Sequence, residues 1–187
     1  MEAKFLLLVG PSGVGKTTLI HELERLDRRF VYIPPYTTRT LRKGENDKVH
    51  VNSLKMHRLR REGKLLVVNI IHNVAYATPK DPIDEAFAAN KFPLLDYSIK
   101  YLRKLKAMSP YKLFCVYIDA PDLQTLKERL NADGRDRDGK RFAAAKREER
   151  MWSKGAYNGL TDFQITSDGS VESIARVILE KYLAAIS

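Results

Sequence analysis

Cysteine is almost missing from this chain. Cys115 is the only one in 187 residues, so no internal disulfide can form, which fits a reducing, cytoplasmic setting. No apolar run approaches the roughly 20 residues that a membrane span needs, and no membrane association is expected. The first apolar stretch, Phe5–Val9, runs straight into a glycine-rich turn and reads as a buried strand, not as the core of a signal peptide. Repeats, low-complexity tracts, long linkers, zinc-ligand spacings and a helix-turn-helix pattern are all lacking. Acidic residues are outnumbered, leaving a net charge of +10, a balance that favours anionic partners. Between Arg39 and Lys64 nine cations meet three anions, Glu45, Asp47 and Glu62. No aromatic residues interleave a basic stripe, so nucleic acid is not expected.

What is present is an alternation of apolar strand-like runs with helical patterns, the signature of a parallel α/β sheet with helices on both faces. Strands are predicted over Phe5–Val9, Phe30–Ile33, Lys64–Ile71, Phe92–Leu95, Lys112–Asp119 and Phe163–Thr166. Helices are predicted over Lys16–Leu26, Pro82–Asn90 with Asp81 as its cap, Ile99–Ala107 capped by Ser98, Pro121–Asn131, Lys140–Trp152, and a closing helix opened by Ser170. The expected organisation is one domain over 1–187: a core of 1–35, 77–130 and 141–187, a basic insertion at 36–76, and a short lid at 131–140. Monomer and homodimer are both compatible with it.

The strongest local signal is Gly10-Pro11-Ser12-Gly13-Val14-Gly15-Lys16-Thr17, which fits G-x-x-x-x-G-K-[ST] between an apolar strand and an amphipathic helix. Glycines let backbone N–H groups turn inward to cradle phosphate oxygens, and the helix N-terminus adds partial positive charge. This predicts a P-loop NTPase fold binding ATP through Ser12, Gly13, Val14, Gly15, Lys16, Thr17 and Thr18. Lys16 is set to reach the β- and γ-phosphates, and the Thr17 hydroxyl to hold Mg²⁺. Asp96, closing the Phe92–Leu95 strand, is the candidate second Mg²⁺ residue, with Asp119 as the alternative.

Beyond the loop, the chain resembles the guanylate kinase family. The residues that carry the likeness are Gly10–Leu19, then Thr37-Thr38-Arg39-x-x-Arg42-x-Gly44-Glu45, then Tyr76-Ala77-Thr78. Weaker likeness lies in Leu123–Leu130, Lys140–Ala145 and Asp162-Phe163-Gln164-Ile165. The resemblance implies that Arg39, Arg42 and Tyr76 grip an acceptor phosphate while Glu45 orients the cations. It implies that Thr78 and Ser98 stand at the acceptor, and that Arg135, Arg137 and Arg141 act catalytically from the lid with Lys16. Paired guanidinium forks suit phosphate because they bind its oxygens bidentately and stay charged.

Three positions depart from the pattern. Where the resemblance implies a serine and two carboxylates that read guanine, this chain aligns Pro35, Val67 and Ser98. No acid occurs between Glu62 and Asp81 to restore the missing glutamate. A buried donor left unpaired costs about 1–3 kcal/mol, so two lost carboxylates weaken guanine recognition by a factor on the order of hundreds. The expected activity is ATP-dependent phosphoryl transfer to a phosphorylated small molecule. GMP or dGMP is the acceptor the family implies; a different nucleotide or a sugar phosphate, as in the ribose bisphosphate phosphokinases, is the alternative. His50 and His72 are candidate substrate contacts or ordinary histidines. A catalytically silent binding module is the reading from another class, and the intact Lys16 and Thr17 speak against it.

Overall fold

The computed structural model describes residues 4–71, 73–132, 134, 136 and 138–187. Its centre is β1 (Phe5–Val9), whose five residues are all buried. Because strand side chains alternate between faces, Leu6 and Leu8 enter one core and Phe5, Leu7 and Val9 the other. The chain leaves β1 through the glycine loop into α1 (Lys16–Leu26), then β2 (Phe30–Tyr32), β3 (Tyr36–Thr37), β4 (Val49–His50) and α2 (Ser53–Arg61). The hairpin β5 (Leu65–Ile71) and β6 (Val74–Pro79) follows, then α3 (Asp81–Ala88), β7 (Phe92–Tyr97) and α4 (Ile99–Met108). The rest is β8 (Leu113–Asp119), α5 (Leu123–Ala132), α6 (Lys140–Ser153), β9 (Phe163–Thr166) and α7 (Val171–Ile186).

Two sheets result. The main one is parallel in every pairing, in the order β2-β7-β1-β8-β9. Its connections reverse direction at β1, and ligands of such sheets bind at the carboxyl ends of the strands beside that switch. The second has the order β4-β3-β6-β5, with antiparallel β3–β6 and β5–β6 pairs.

Several boundaries differ from expectation. Lys80, not Asp81, is the N-cap of α3, and Asp81 and Pro82 sit in its first turn. The helix stops before Asn90, which takes the left-handed conformation (φ 54°). There the Asn90 and Lys91 N–H groups bond back to Phe87 and Ala86, a Schellman ending. Ser98 stands at the N-cap of α4 without a side-chain capping bond. Ser170 does cap α7, accepting from the Ser173 N–H at 3.1 Å. The basic insertion holds, beside the strand expected over Lys64–Ile71, the strands β3 and β4, the helix α2 and the start of β6. The predicted insertion boundary at 76 falls inside β6. Helix α2 is capped by Asn52, whose side chain accepts from the Lys55 N–H at 2.8 Å.

Candidate active site

The glycine loop leaves β1 in a conformation that side chains resist. Gly10, Gly13 and Gly15 have φ of 142°, 94° and 95°. A Cβ on Gly10 would lie 2.2 Å from the Ile118 carbonyl oxygen, and one on Gly13 would lie 2.9 Å from Leu130. A Cβ on Gly15 would meet nothing within 4 Å, so its backbone faces open space. Lys16 folds across the loop, its ammonium donating to the carbonyls of Gly10 (2.7 Å) and Pro11 (2.8 Å). Burial pulls the Lys16 pKa below the ordinary lysine value, against the opposing charges of Asp96 and Glu148.

Ser12, Gly13, Gly15, Lys16, Thr17 and Thr18 line one cavity. Val14 instead buries its side chain in the core. Asp96 joins that cavity from β7, the strand hydrogen-bonded to β1, with Leu8 and Asp96 in register. Its Oδ1 accepts from the Tyr32 hydroxyl at 3.1 Å. Asp119, the alternative acid, lines a different small cleft beside Pro11 and Leu123. Its carboxylate accepts from the Ala120 N–H and from Gln164. Thr17 and Asp96 give an all-oxygen donor set on one wall, which suits a hard cation such as Mg²⁺ that keeps waters and phosphate oxygens as its other ligands. Among the described residues no three His, Cys, Asp or Glu side chains cluster as a metal cage of their own.

A second cavity, with an open volume of about 550 Å³, is lined by Lys48, Tyr76, Thr78, Asp96, Ser98 and Tyr101 among others. Arg39 stands behind its Tyr76 wall: its Nε donates to the Tyr76 hydroxyl at 3.3 Å, and both its terminal nitrogens donate to Glu45. The Arg39 hydrogen bond pulls the Glu45 carboxyl down to about 2. Glu45 also accepts from the Arg42 backbone N–H at 2.9 Å. The Arg42 side chain itself is exposed and is not among the residues lining this cavity. Tyr76, Thr78 and Ser98 thus line the cavity, Arg39 and Glu45 are tied to it through Tyr76, and the Arg42 side chain stands outside. Nδ1 of His50 lies 2.9 Å from the Arg39 carbonyl, bracing the loop and not the cavity. His72 lies outside the described residues.

Pro35 and Ser98 line the second cavity as aligned, but Val67 does not. It is buried in the core packed against α3 and α4. The residues of β5 that line the cavity are Asn69, two positions on, and Ile71. A single polar residue in the apolar run Leu65–Ile71 was the signal for Asn69.

Lid residues Arg135 and Arg137 lie outside the described residues. Arg141 lines the glycine-loop cavity, at the start of α6. Asp136 holds that helix start, accepting from the Arg141 and Phe142 N–H groups at 2.7 and 2.9 Å. Arg129 of α5 also lines the cavity and is pinned by the Ser167 hydroxyl and carbonyl. Sequence reasoning passed over Arg129 as a site residue, because a lone arginine on an amphipathic helix carries no local mark. The same holds for Glu148 on α6. Burial raises its pKa, and its Oε1 has no hydrogen-bond partner among the described residues. Glu148 lines a space shared with Gly10, Lys16 and Arg141.

Comparison with known proteins gives a consistent result. A sequence model of the family described as guanylate kinase matches residues 2–178. A guanylate kinase from Carboxydothermus hydrogenoformans is 31% identical over 166 residues, covering 87% of this chain and 79% of the relative. A guanylate kinase from Bdellovibrio bacteriovorus is 27% identical over 189 residues, covering 96% of this chain and 100% of the relative. In fold, the chain is similar to a guanylate kinase structure from Anaplasma phagocytophilum, with a TM-score of 0.70, 20% identity, and coverage of 99% and 87%. It is less similar to a shikimate kinase from Acinetobacter baumannii, with a TM-score of 0.51, 15% identity, and coverage of 98% and 94%.

Proposed function

This chain belongs to the guanylate kinase family, and from that premise we propose that it moves the γ-phosphate of ATP onto the phosphate of a small nucleotide acceptor held in the second cavity. One observation carries the reading: Lys48 and Asp96 line both cavities, so donor and acceptor phosphates would meet at a shared wall. GMP is the acceptor that the relatives' name supplies, and it is the first to test.

In this reading the glycine loop and Lys16 hold the β- and γ-phosphates, with Lys16 exchanging its two loop carbonyls for phosphate oxygens. Thr17 and Asp96 would hold Mg²⁺, which when bound neutralises charge between the phosphates. The ATP base would lie in the cleft beside Gly15, Arg129, Ser167 and Gly169. Tyr76, oriented by the Arg39–Glu45 pair, would meet the acceptor phosphate together with Lys48. An acceptor phosphate oxygen is already anionic, so in-line attack needs no strong general base, only positioning and charge stabilisation. Arg141 would supply part of that stabilisation. The proposal extends to Arg135 and Arg137 from the lid and to Arg42, whose side chain would have to turn in from solvent. In this reading the site takes ATP, Mg²⁺ and a small phosphorylated molecule, and the reaction takes place in the cytoplasm, in a monomer or homodimer. Among the described residues no helix is long and apolar enough to cross a membrane.

The test is coupled ADP release with GMP, dGMP, other nucleoside monophosphates and ribose phosphates, against an acceptor-free control. We expect acceptor-dependent release that Lys16→Ala lowers by about a hundredfold or more without loss of fold. Near-wild-type turnover in that variant, or release that ignores every acceptor, would refute the kinase reading.

A further inference from the structure

One stripe of α6 borders the glycine loop. Arg141, Ala144, Ala145 and Glu148 line a space shared with Lys16. At i, i+3, i+4 and i+7 they lie on a single face of the helix. A cation stands at one end of the stripe and an acid at the other, about 10 Å apart along the axis, with two small side chains between them. The acid end is anchored. Trp152, one turn beyond Glu148, stacks on Tyr117 of β8 with ring centroids 3.6 Å apart and planes 3° from parallel. Strand β8 pairs with β1, which feeds the glycine loop, so the stack fixes Glu148 relative to that loop. In this frame Glu148 Oε1 and the Tyr117 hydroxyl are buried and have no hydrogen-bond partner among the described residues. A buried carboxylate without a partner is costly unless a nearby charge compensates it. Lys16 is that charge: its ammonium and the Glu148 carboxylate attract, while Arg141 repels the ammonium. The loop carbonyls of Gly10 and Pro11 take two of the three ammonium donors. Asp96, the other carboxylate that attracts Lys16, is the one that would hold Mg²⁺, and Glu148 is then the acid left to balance the lysine.

We propose that Glu148 is a positioning residue: from the anchored end of α6 its carboxylate holds the Lys16 ammonium in place for the transferred phosphate and offsets the repulsion between that lysine and Arg141. Glu148 touches no reacting atom and acts through Lys16. This deepens the kinase reading and rests on it.

The experiment compares steady-state kinetics, with ATP and GMP or whichever acceptor releases ADP fastest, for the wild type, Glu148→Gln, Glu148→Asp, Lys16→Ala and Lys16→Ala with Glu148→Gln. Glu148→Gln keeps the shape and removes the charge. It should lower kcat about tenfold while ATP and acceptor KM stay within about threefold. Glu148→Asp keeps the charge and should recover most of that loss. With Lys16→Ala already in place, Glu148→Gln should change kcat by less than about twofold, because an effect routed through the lysine vanishes with it. The urea midpoint of Glu148→Gln should hold or rise, since a buried carboxylate without a hydrogen-bond partner destabilises the fold. A lowered midpoint with wild-type kcat would make Glu148 a structural residue and overturn the proposal, as would a tenfold loss repeated in the Lys16→Ala background. A second readout needs no turnover. The ammonium NMR signal of Lys16 in the ATP-free protein, identified by its loss in Lys16→Ala, should move in Glu148→Gln and move less in Glu148→Asp; an unmoved signal overturns the proposal. If Glu148→Gln fails to fold, Glu148→Asp decides, with a smaller fall in kcat that must vanish in the Lys16→Ala background. Should the wild type phosphorylate no acceptor, the kinase reading fails, and the lysine signal still decides whether Glu148 holds Lys16.

Discussion

Two glycines of the same loop answer different needs. Gly10 (φ 142°) lies against β8, where an added Cβ would be 2.2 Å from the Ile118 oxygen, while Gly15 (φ 95°) faces open space. Gly10→Ala must push strands apart and is expected to cost roughly 2–4 kcal/mol, read as a fall in the urea midpoint. Gly15→Ala carries only the left-handed backbone strain of about 1–2 kcal/mol. It should fold, but its methyl enters the phosphate cavity, so ATP KM should rise. Equal midpoints for the two variants would refute this division. Glu45 gives a pH signature. Its folded pKa of about 2 lies below the ordinary 4.5, so its stabilising contribution is fully present above about pH 4.5 and is lost as pH falls towards 2. The stability gap between wild type and Glu45→Gln, followed by denaturant titration, should be constant near neutrality and close across that acid window. A gap that widens on acidification would contradict the Arg39 pairing.

Among the elements, α7 shows how the last segment of the chain secures the first strand. Tyr182 is fully buried among Phe30, Phe92 and Phe114, and its hydroxyl donates to the Lys4 carbonyl at 2.6 Å. Tyr182→Phe keeps the ring contacts and loses that bond, at an expected cost of about 1 kcal/mol. Tyr182→Ala opens a cavity worth about 3–5 kcal/mol. Thermal unfolding of both variants checks the ratio, and similar losses for the two would place the stability in the hydroxyl instead. Elements with a regular apolar period, such as β1, α1, β8 and α7, were legible in the sequence because their pattern is local. Strands β3 and β4, of two residues each, were not, because they exist only through pairing with β6 and with each other. Helix α2 was missed for another reason: it buries only Met56, so its apolar stripe is one residue wide.

At the scale of the whole molecule, the core closes over Cys115, which is fully buried and whose thiol is pushed up to about 12 by burial. A thiol reagent should leave the native protein unlabelled. Labelling should appear with rising urea at the same midpoint as loss of circular dichroism, since only global opening exposes β8. Labelling well below that midpoint would mean that β8 opens independently. The glycine loop with its flanking strand and helix was legible in the sequence alone, because it is a short segment whose residue types dictate its local chemistry, whereas the Arg39–Glu45 motif was marked there only by its family resemblance. Which part of β5 meets the second cavity was not legible there: Val67 and Asn69 lie two residues apart on one face of the strand, and packing puts Val67 in the core and Asn69 and Ile71 at the cavity. Strand order and register likewise put Asp96, and not Asp119, in the glycine-loop cavity. Both acids lie within the last two residues of a strand, but Asp96 pairs with Leu8 of β1, whereas Asp119 runs on beyond β1 to pair with Thr166. Which carboxylate stands beside the glycine loop is a relation between distant segments, and only packing could set it.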